Sequence, residues 1–229
     1  MKPVWMALLA VLALAGCDRK AATPPSAPSA SPSAAVSGPE RRIVALGDSL
    51  FAGYGLRPAE AYPVRLEAAL RARGINARIV NAGVSGDTTA DGLGRLDFTL
   101  NSQPRKPDLV ILCLGGNDML RALPASESRA NVNAILGKLE AKQVPVLVMG
   151  MLAAPNLGPD YARQFNPIFP AAAKAHHAAL VPFFLAPVID HPELRQADHI
   201  HPTAKGVDTL VSATVDQVAA ALEKAAKSD

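Results

Sequence analysis

Ser49 has the sequence setting of a nucleophile. It lies in the segment Gly47-Asp48-Ser49, directly after the apolar run 43–46, which predicts a short buried strand. In open α/β sheets, ligands bind just outside the carboxyl ends of the strands, so a serine there faces the cleft. The same residues also suit a helix N-cap, so this stretch alone leaves both interpretations open.

A base for such a serine is available late in the chain, in Asp198-His199-Ile200-His201-Pro202. A serine hydroxyl is a weak nucleophile that needs a positioned base, and that base needs an acid to fix its tautomer. Asp198 and His201 are three residues apart, so one turn brings them together, and Pro202 stiffens the start of the last helix. Either histidine has the chemistry of a base, but the spacing and the proline favour His201 over His199.

Two further turns offer hydrogen-bond donors for a developing oxyanion. The glycines of the turn 81–86, Gly83 among them, let backbone N–H groups approach a bound oxygen. In the turn 115–118, Asn117 contributes a side-chain amide that can donate to the same oxygen. Both turns also suit ordinary connections between elements. Ser85 is an alternative nucleophile, but its turn lacks the second glycine position of a nucleophile elbow, and we expect it to be a turn residue.

These stretches need strands and helices to position them, and the hydrophobic pattern predicts both in alternation. Apolar runs predict five strands, at 43–46, 77–81, 109–114, 144–149 and 179–184. Helical spacing predicts helices at 62–73, 88–100, 129–141, 161–175 and 203–224, the fourth of them bent or broken by Pro167 and Pro170. This alternation indicates an α/β fold, a three-layer doubly wound sandwich around a mostly parallel five-stranded sheet.

The composition limits the number of domains and the kinds of partner that we expect. The chain has 229 residues, 49% hydrophobic and 19% charged, which suits one α/β domain with a substantial core. Its formal net charge is +3 without a run of Lys or Arg, so we expect no nucleic-acid partner. Cys113 lies inside a predicted strand as a buried hydrophobe, and no C-x-x-C motif is present. No metal or cofactor is expected, because the proposed nucleophile is a side chain.

The amino terminus predicts export and anchoring. A positive start at Lys2 and the apolar run 4–15, too short to span a bilayer, are typical of a secretory signal. Its end, Leu14-Ala15-Gly16-Cys17, resembles the bacterial lipoprotein box, in which the chain is cut before a cysteine that then carries lipid. Several acyl chains on Cys17 would anchor the protein stably. The alternative is an ordinary signal that is cleaved after a small residue.

Three segments follow from this pattern. Residues 1–16 are predicted to be a lipoprotein signal peptide, and 17–40 a lipidated cysteine with an Ala/Pro/Ser-rich tether that forms no core. Residues 41–229 form the predicted catalytic domain. We therefore expect the protein in the cell envelope, lipid-anchored on the periplasmic or extracellular side of a bacterial membrane.

The segment Gly47-Asp48-Ser49-Leu50 resembles the signature of the GDSL esterases, the SGNH hydrolase superfamily. The resemblance covers roughly 41–222 and is closest to the small bacterial arylesterase, thioesterase and lysophospholipase members. It implies a flavodoxin-like SGNH fold and an acyl-enzyme mechanism. The implied roles are nucleophile Ser49, base His201, acid Asp198, and an oxyanion hole formed by the amides of Ser49 and Gly83 and the side chain of Asn117.

The substrate class is indicated by the long apolar loop 151–169. An apolar wall favours acyl or aryl esters, with thioesters and lysophospholipids as further candidates, over sugar acetates. A carbohydrate esterase that deacetylates cell-wall glycan is the alternative, and it predicts a polar, open cleft. A non-enzymatic envelope lipoprotein would predict a damaged site, whereas all the expected residue types are present. No obligate protein partner is predicted.

Overall fold

The structure is a computed structural model that describes residues 36–227. The predicted signal peptide 1–16, Cys17 and most of the tether lie outside the described residues. Five strands are present, β1 (Arg41–Gly47), β2 (Ala77–Gly83), β3 (Leu109–Cys113), β4 (Val146–Met149) and β5 (Ala179–Val181). The α-helices are α1 (Ser49–Ala52), α2 (Tyr62–Ala72), α3 (Thr89–Asn101), α4 (Gly116–Leu120), α5 (Ala125–Ala141), α6 (Gly158–Phe165), α7 (Ile168–Ala175) and α8 (Ala204–Ala226).

All five strands are parallel and lie in the order β2-β1-β3-β4-β5. The chain runs from β1 outward to β2, then returns past β1 to β3 and continues in the other direction. This reversal makes the boundary between β1 and β3 the topological switch point, where a cleft opens at the carboxyl ends of the strands. The structure therefore confirms the predicted α/β fold, with helices on both sides of the sheet.

Strands β3 and β4 lie in the core, between the two layers of helices. Every residue of β3 and β4 is buried, as a sheet covered on both faces requires. Helix α2 packs against α8, and α5 packs against α3 and α7. None of the helices within residues 36–227 is long and apolar enough to cross a membrane.

Several element boundaries differ from the predictions, among them those of β5, α5 and the predicted helix 161–175. Strand β5 ends at Val181 and not at 184, because Pro182 has no N–H to continue the ladder. Helix α5 begins at Ala125, four residues before the predicted start. The predicted helix 161–175 is two helices, α6 and α7, with the break before Ile168 that Pro167 favours.

A buried aromatic cluster holds α1 against the sheet. Phe51 of α1 stacks on Tyr62 with ring centroids 5.2 Å apart, and Phe184 meets both rings edge-on. The Tyr62 hydroxyl shares a 2.7 Å hydrogen bond with Thr214 Oγ1 of α8. These contacts fix the short helix that begins with Ser49.

Candidate active site

Ser49 is positioned by the tight turn between β1 and α1. Asp48 is the N-cap of α1, and its Oδ1 accepts a hydrogen bond from the Leu50 N–H at 3.0 Å. A Cβ on Gly47 would lie 2.6 Å from the Phe51 ring, so only glycine permits this close return of the chain. Ser49 therefore stands at the carboxyl end of β1 on an element anchored in the core.

The late turn brings His201 and Asp198 to this serine. His201 Nε2 lies 2.8 Å from Ser49 Oγ, and His201 Nδ1 lies 2.7 Å from Asp198 Oδ2. Both are ordinary hydrogen-bond distances. A carboxylate, an imidazole and a hydroxyl in this chain can pass a proton from the hydroxyl to Nε2 while the carboxylate stabilises the imidazolium.

Asp198 is held as a carboxylate by hydrogen bonds. Its Oδ1 accepts the backbone N–H groups of Ile200 at 2.9 Å and His201 at 3.0 Å. Burial alone would raise the pKa of Asp198, but the hydrogen bonds from the His201 ring and these two N–H groups outweigh it and lower the pKa to about 2. Asp198 is therefore ionised throughout the neutral pH range.

The turn that carries these residues is closed by its own backbone. Arg195 and Pro202 form an antiparallel bridge, and the Gln196 N–H donates to the His201 carbonyl at 2.8 Å. The Gln196 side-chain amide donates to the carbonyls of Pro202 and Tyr54. The turn is thus tied both to itself and to the loop that follows α1.

Tyr54 is a contact that the sequence pattern did not reveal. Its ring lies against the His201 imidazole, with centroids 4.4 Å apart and planes tilted by 33°. Tyr54 sits in a loop without hydrophobic periodicity, so no pattern signals its position. The ring packs against the imidazole and so restricts its orientation.

Asn117 lies beside Ser49 at the start of α4, directly after β3. Its Nδ2 donates to the Asp87 carbonyl at 2.9 Å and lies 3.5 Å from Asp48 Oδ2. The first contact is a hydrogen bond of ordinary length, whereas the second is at the upper limit of hydrogen-bond distance. Asn117 thus lines the same cleft as Ser49, and its oxyanion role stays a prediction.

Gly83 does not lie where that prediction requires. Its N–H donates to Asn81 Oδ1 at 2.9 Å, and Gly83 is not part of the cleft wall. A Cβ there would lie 2.4 Å from the Ala52 nitrogen, so close packing on α1 explains this glycine. Gly86 of the same turn does line the cleft, and among residues 36–227 no acceptor binds the N–H of Gly86 or of Ser49. Of the two glycines, Gly86 rather than Gly83 is thus the one with an N–H in the cleft wall that is free within the described part of the chain.

The other candidate residues occupy different positions. His199 lines the cleft, but it is His201 whose imidazole contacts Ser49. Ser85 also lines the cleft, without a contact to either imidazole. Cys113 is fully buried, which raises the pKa of its thiol and makes it inert, as predicted.

Asp48 carries an unusual carboxyl group. It is only 2% exposed. Burial, reinforced by the nearby carboxylates of Asp87 and Asp118, raises its pKa to about 7 against the hydrogen bond from Leu50. A carboxyl that is neutral at mildly acid pH avoids adding negative charge next to Asn117.

The cleft above these residues has a volume of about 660 Å³ and a mainly apolar wall. Its apolar lining comes from Leu50, Met119, Leu120, Met151, Leu152, Ala153, Ala154, Pro155, Phe183, Leu185, Ile189 and Ile200. Only the first part of the loop 151–169 contributes, because Phe165 and Ile168 are buried in the core. The volume and lining are typical of a small-molecule site.

The parallel sheet and the Ser–His–Asp arrangement at its switch point define a serine hydrolase of the three-layer α/β class. The model of the GDSL-like lipase/acylhydrolase family matches residues 45–208. The chain belongs to this family.

Characterised relatives agree with this class. Esterase TesA of Pseudomonas aeruginosa is 39% identical over 160 residues, which is 70% of this chain and 79% of the relative. The thioesterase 1/protease 1/lysophospholipase L1 of Escherichia coli K12 is 35% identical over 160 residues, 70% of this chain and 74% of the relative. AlinE4, an SGNH-hydrolase family esterase of known crystal structure, is 59% identical in sequence to this chain. The two structures match with a TM-score of 0.70 over 81% of this chain and 98% of AlinE4. This chain is a carboxylic ester hydrolase.

Proposed function

We propose that the enzyme hydrolyses acyl and aryl esters through an acyl-enzyme on Ser49, with His201 as general base and Asp198 as the acid that orients it. The observation that carries this proposal is the unbroken chain of contacts, 2.8 Å from Ser49 Oγ to His201 Nε2 and 2.7 Å from His201 Nδ1 to Asp198 Oδ2. Such a chain activates the hydroxyl without a metal or cofactor.

The reaction proceeds in two halves. Ser49 Oγ attacks the ester carbonyl as its proton passes to His201 Nε2, and the resulting imidazolium gives that proton to the departing alkoxide. The Ser49 acyl ester then reacts with water, whose proton goes to His201 while its oxygen bonds the acyl carbon. Collapse of the second tetrahedral intermediate returns the proton to Ser49 and releases the carboxylic acid.

The oxyanion of both intermediates is held by the N–H groups of Ser49 and Gly86 and by the side-chain amide of Asn117. The support for this set is that both N–H groups lack an acceptor among the described residues, and one Asn117 hydrogen is free of a short contact. Each such donor typically contributes about 3 kcal/mol to transition-state stabilisation.

The substrate is an ester with an apolar acyl or aryl part, and thioesters and lysophospholipids belong to the same class. The apolar cleft wall supports this choice, because sugar hydroxyls would leave their hydrogen bonds unmade there. The relative from Escherichia coli carries thioesterase and lysophospholipase in its name, which agrees with such a range.

The test is hydrolysis of p-nitrophenyl esters from acetate to palmitate by the purified full chain and by Ser49→Ala. Ser85→Ala is the matched control, because it removes a second serine hydroxyl from the same cleft. We expect Ser49→Ala to lose kcat by about 10⁴-fold or more and Ser85→Ala to stay within a few-fold of wild type. Equal activity of wild type and Ser49→Ala refutes the mechanism. Faster cleavage of acetylated glycan than of any aryl ester refutes the substrate class.

We also propose that the mature enzyme is anchored in the cell envelope through lipid on Cys17, on the periplasmic or extracellular side of the membrane. The support is the segment Leu14-Ala15-Gly16-Cys17 at the end of a short apolar run. Metabolic labelling with an alkyne fatty acid in a bacterial host should mark wild type and Cys113→Ala but not Cys17→Ser. Label retained in Cys17→Ser contradicts the anchor.

A further inference from the structure

Arg195 is a cation on the wall of the catalytic cleft. It pairs through its backbone with Pro202 and so closes the turn that carries Asp198 and His201. Its Nη1 donates to the His199 carbonyl at 2.7 Å. Arg195 is the one Lys or Arg among the cleft-lining residues that the structure describes.

The charge of Arg195 has no partner in the described part of the chain. Between residues 36 and 227, no carboxylate lies within 4.0 Å of its nitrogens, and its side-chain hydrogen bond to the His199 carbonyl is made by Nη1. Arg95, by contrast, pairs with Asp87 at 2.6 Å. A partly buried guanidinium without a countercharge, in a cleft with a mainly apolar lining, is a favourable place for an anion from solution.

His199 lies next to Arg195 on the same wall. Its φ of +59° is in the left-handed region, where a non-glycine residue is strained. His199 is among the residues that line the cleft. Strain of this kind is concentrated at functional sites, and the imidazole of His199 has nitrogens that can bind the same group as the guanidinium.

The direction of the reaction determines which part of the substrate meets these residues. His201 must protonate the leaving oxygen, so the alcohol part of the ester lies over the turn that carries His201. Arg195 and His199 belong to that turn. The acyl part then lies along the apolar wall formed by 151–155 and its neighbours.

We propose that Arg195, with His199, binds an anionic oxygen group, a phosphate or a carboxylate, on the alcohol part of the substrate. This inference rests on the proposed function, since it assumes ester cleavage at Ser49. The preferred substrate is then a single-chain acyl ester of an alcohol that carries a negative charge. A guanidinium recognises both anions through paired N–H donors.

Three matched esters test the subsite with the full chain. They are 3-hydroxypropyl octanoate, its phosphate monoester and 4-octanoyloxybutanoate, which share the scissile ester and differ in the charged group. The rate of octanoate release gives kcat/KM for each ester. It is measured at ester concentrations below those at which the esters aggregate. The preference is the ratio of kcat/KM for each anionic ester to that for the neutral ester, and comparing the two anions identifies which one the subsite favours.

Arg195→Gln should lower this preference by about tenfold or more, because a charge-assisted contact is lost. Arg129→Gln is the matched control, since Arg129 also donates to a backbone carbonyl but lies outside the cleft, and it should leave the preference unchanged. Arg195→Lys keeps the charge and should retain part of the preference, which remains measurable if Arg195→Gln does not fold. His199→Gly should raise the thermal midpoint and lower the preference.

Equal losses on charged and neutral esters in Arg195→Gln, or a wild type without preference, overturn the subsite. Equal losses are what a purely structural brace of the turn would give. Cleavage of none of the three esters by wild type overturns the proposed function and the subsite with it. Cleavage of all three at ratios independent of Arg195 overturns the subsite alone.

Discussion

Asp48 should make the stability of the protein fall as the pH rises from about 4 to about 7. The carboxyl is buried between the Leu50 N–H and the Asn117 amide. Burial, together with the carboxylates of Asp87 and Asp118, raises its pKa from 3.8 to about 7. Between these two values the folded protein keeps a proton that the unfolded chain has lost, so the free energy of unfolding decreases with pH.

The size of the effect follows from the shift. A rise of about three pKa units, at about 1.4 kcal/mol per unit, gives an upper bound of about 4 kcal/mol between pH 4 and pH 8. The variant Asp48→Asn does not titrate. The unfolding free energy of Asp48→Asn minus that of wild type should therefore increase across this window by up to about 4 kcal/mol.

Urea denaturation of both proteins from about pH 4.5 to about pH 8.5 measures this difference. Asp97→Asn is the control, because the hydrogen bond from Lys138 lowers the pKa of that surface carboxyl and keeps it ionised over the whole range. Its difference from wild type should be constant with pH. A constant difference for Asp48→Asn as well, or one that decreases with pH, would refute a raised pKa at Asp48.

Three further changes test the site and its support. Asn117→Ala should lower kcat for p-nitrophenyl butyrate by about 10²- to 10³-fold with little change in KM, because the amide acts only in the transition state. A change confined to KM would argue against the oxyanion role. Gly83→Ala should lower the thermal midpoint, because its Cβ would lie 2.4 Å from the Ala52 nitrogen. Gly94→Ala is the control and should not lower the midpoint, because nothing lies within 4 Å of its Cβ. Equal midpoints of the two variants would contradict the packing argument. Thr214→Val leaves the buried Tyr62 hydroxyl without its partner and should cost about 1–3 kcal/mol of unfolding free energy. Thr209→Val, at a partly exposed position of α8, should cost much less. Similar costs would show that the hydrogen bond contributes little.

The sheet was predictable because its central strands have no polar face. Leu109–Cys113 and Val146–Met149 are apolar throughout, which a parallel sheet under two helix layers requires. The end of β5 was not predictable, because the apolar run continues past Pro182 whereas the hydrogen-bond ladder stops there. The short helices α1 and α4 were missed as well, since four or five residues are too few for a periodic pattern.

The meeting of Ser49, His201 and Asp198 was predictable from position. One residue follows a strand end, and the other two are three apart in a single turn, so few geometries are open to them. The glycine that offers its N–H to the cleft was harder to predict, because Gly83 and Gly86 lie in the same glycine-containing turn. Which N–H faces the cleft depends on the Asn81 side chain and on the positive φ of Gly86, and the sequence specifies neither directly.

Arg195 and Tyr54 were not anticipated for a related reason. Arg195 reaches the cleft wall through a backbone bridge to Pro202, and Tyr54 contacts His201 from a loop 147 positions earlier in the chain. Both depend on tertiary contacts between irregular segments. Local propensity and periodicity carry no information about such contacts.

The most direct test of the central claim is covalent labelling with a fluorophosphonate, followed by intact mass and peptide mapping. We expect one adduct per chain on Ser49, none on Ser49→Ala, and much slower labelling of His201→Ala, because the imidazole at 2.8 Å activates the hydroxyl. An adduct on Ser85, or equal labelling of wild type and Ser49→Ala, would contradict the assignment of Ser49 as the nucleophile.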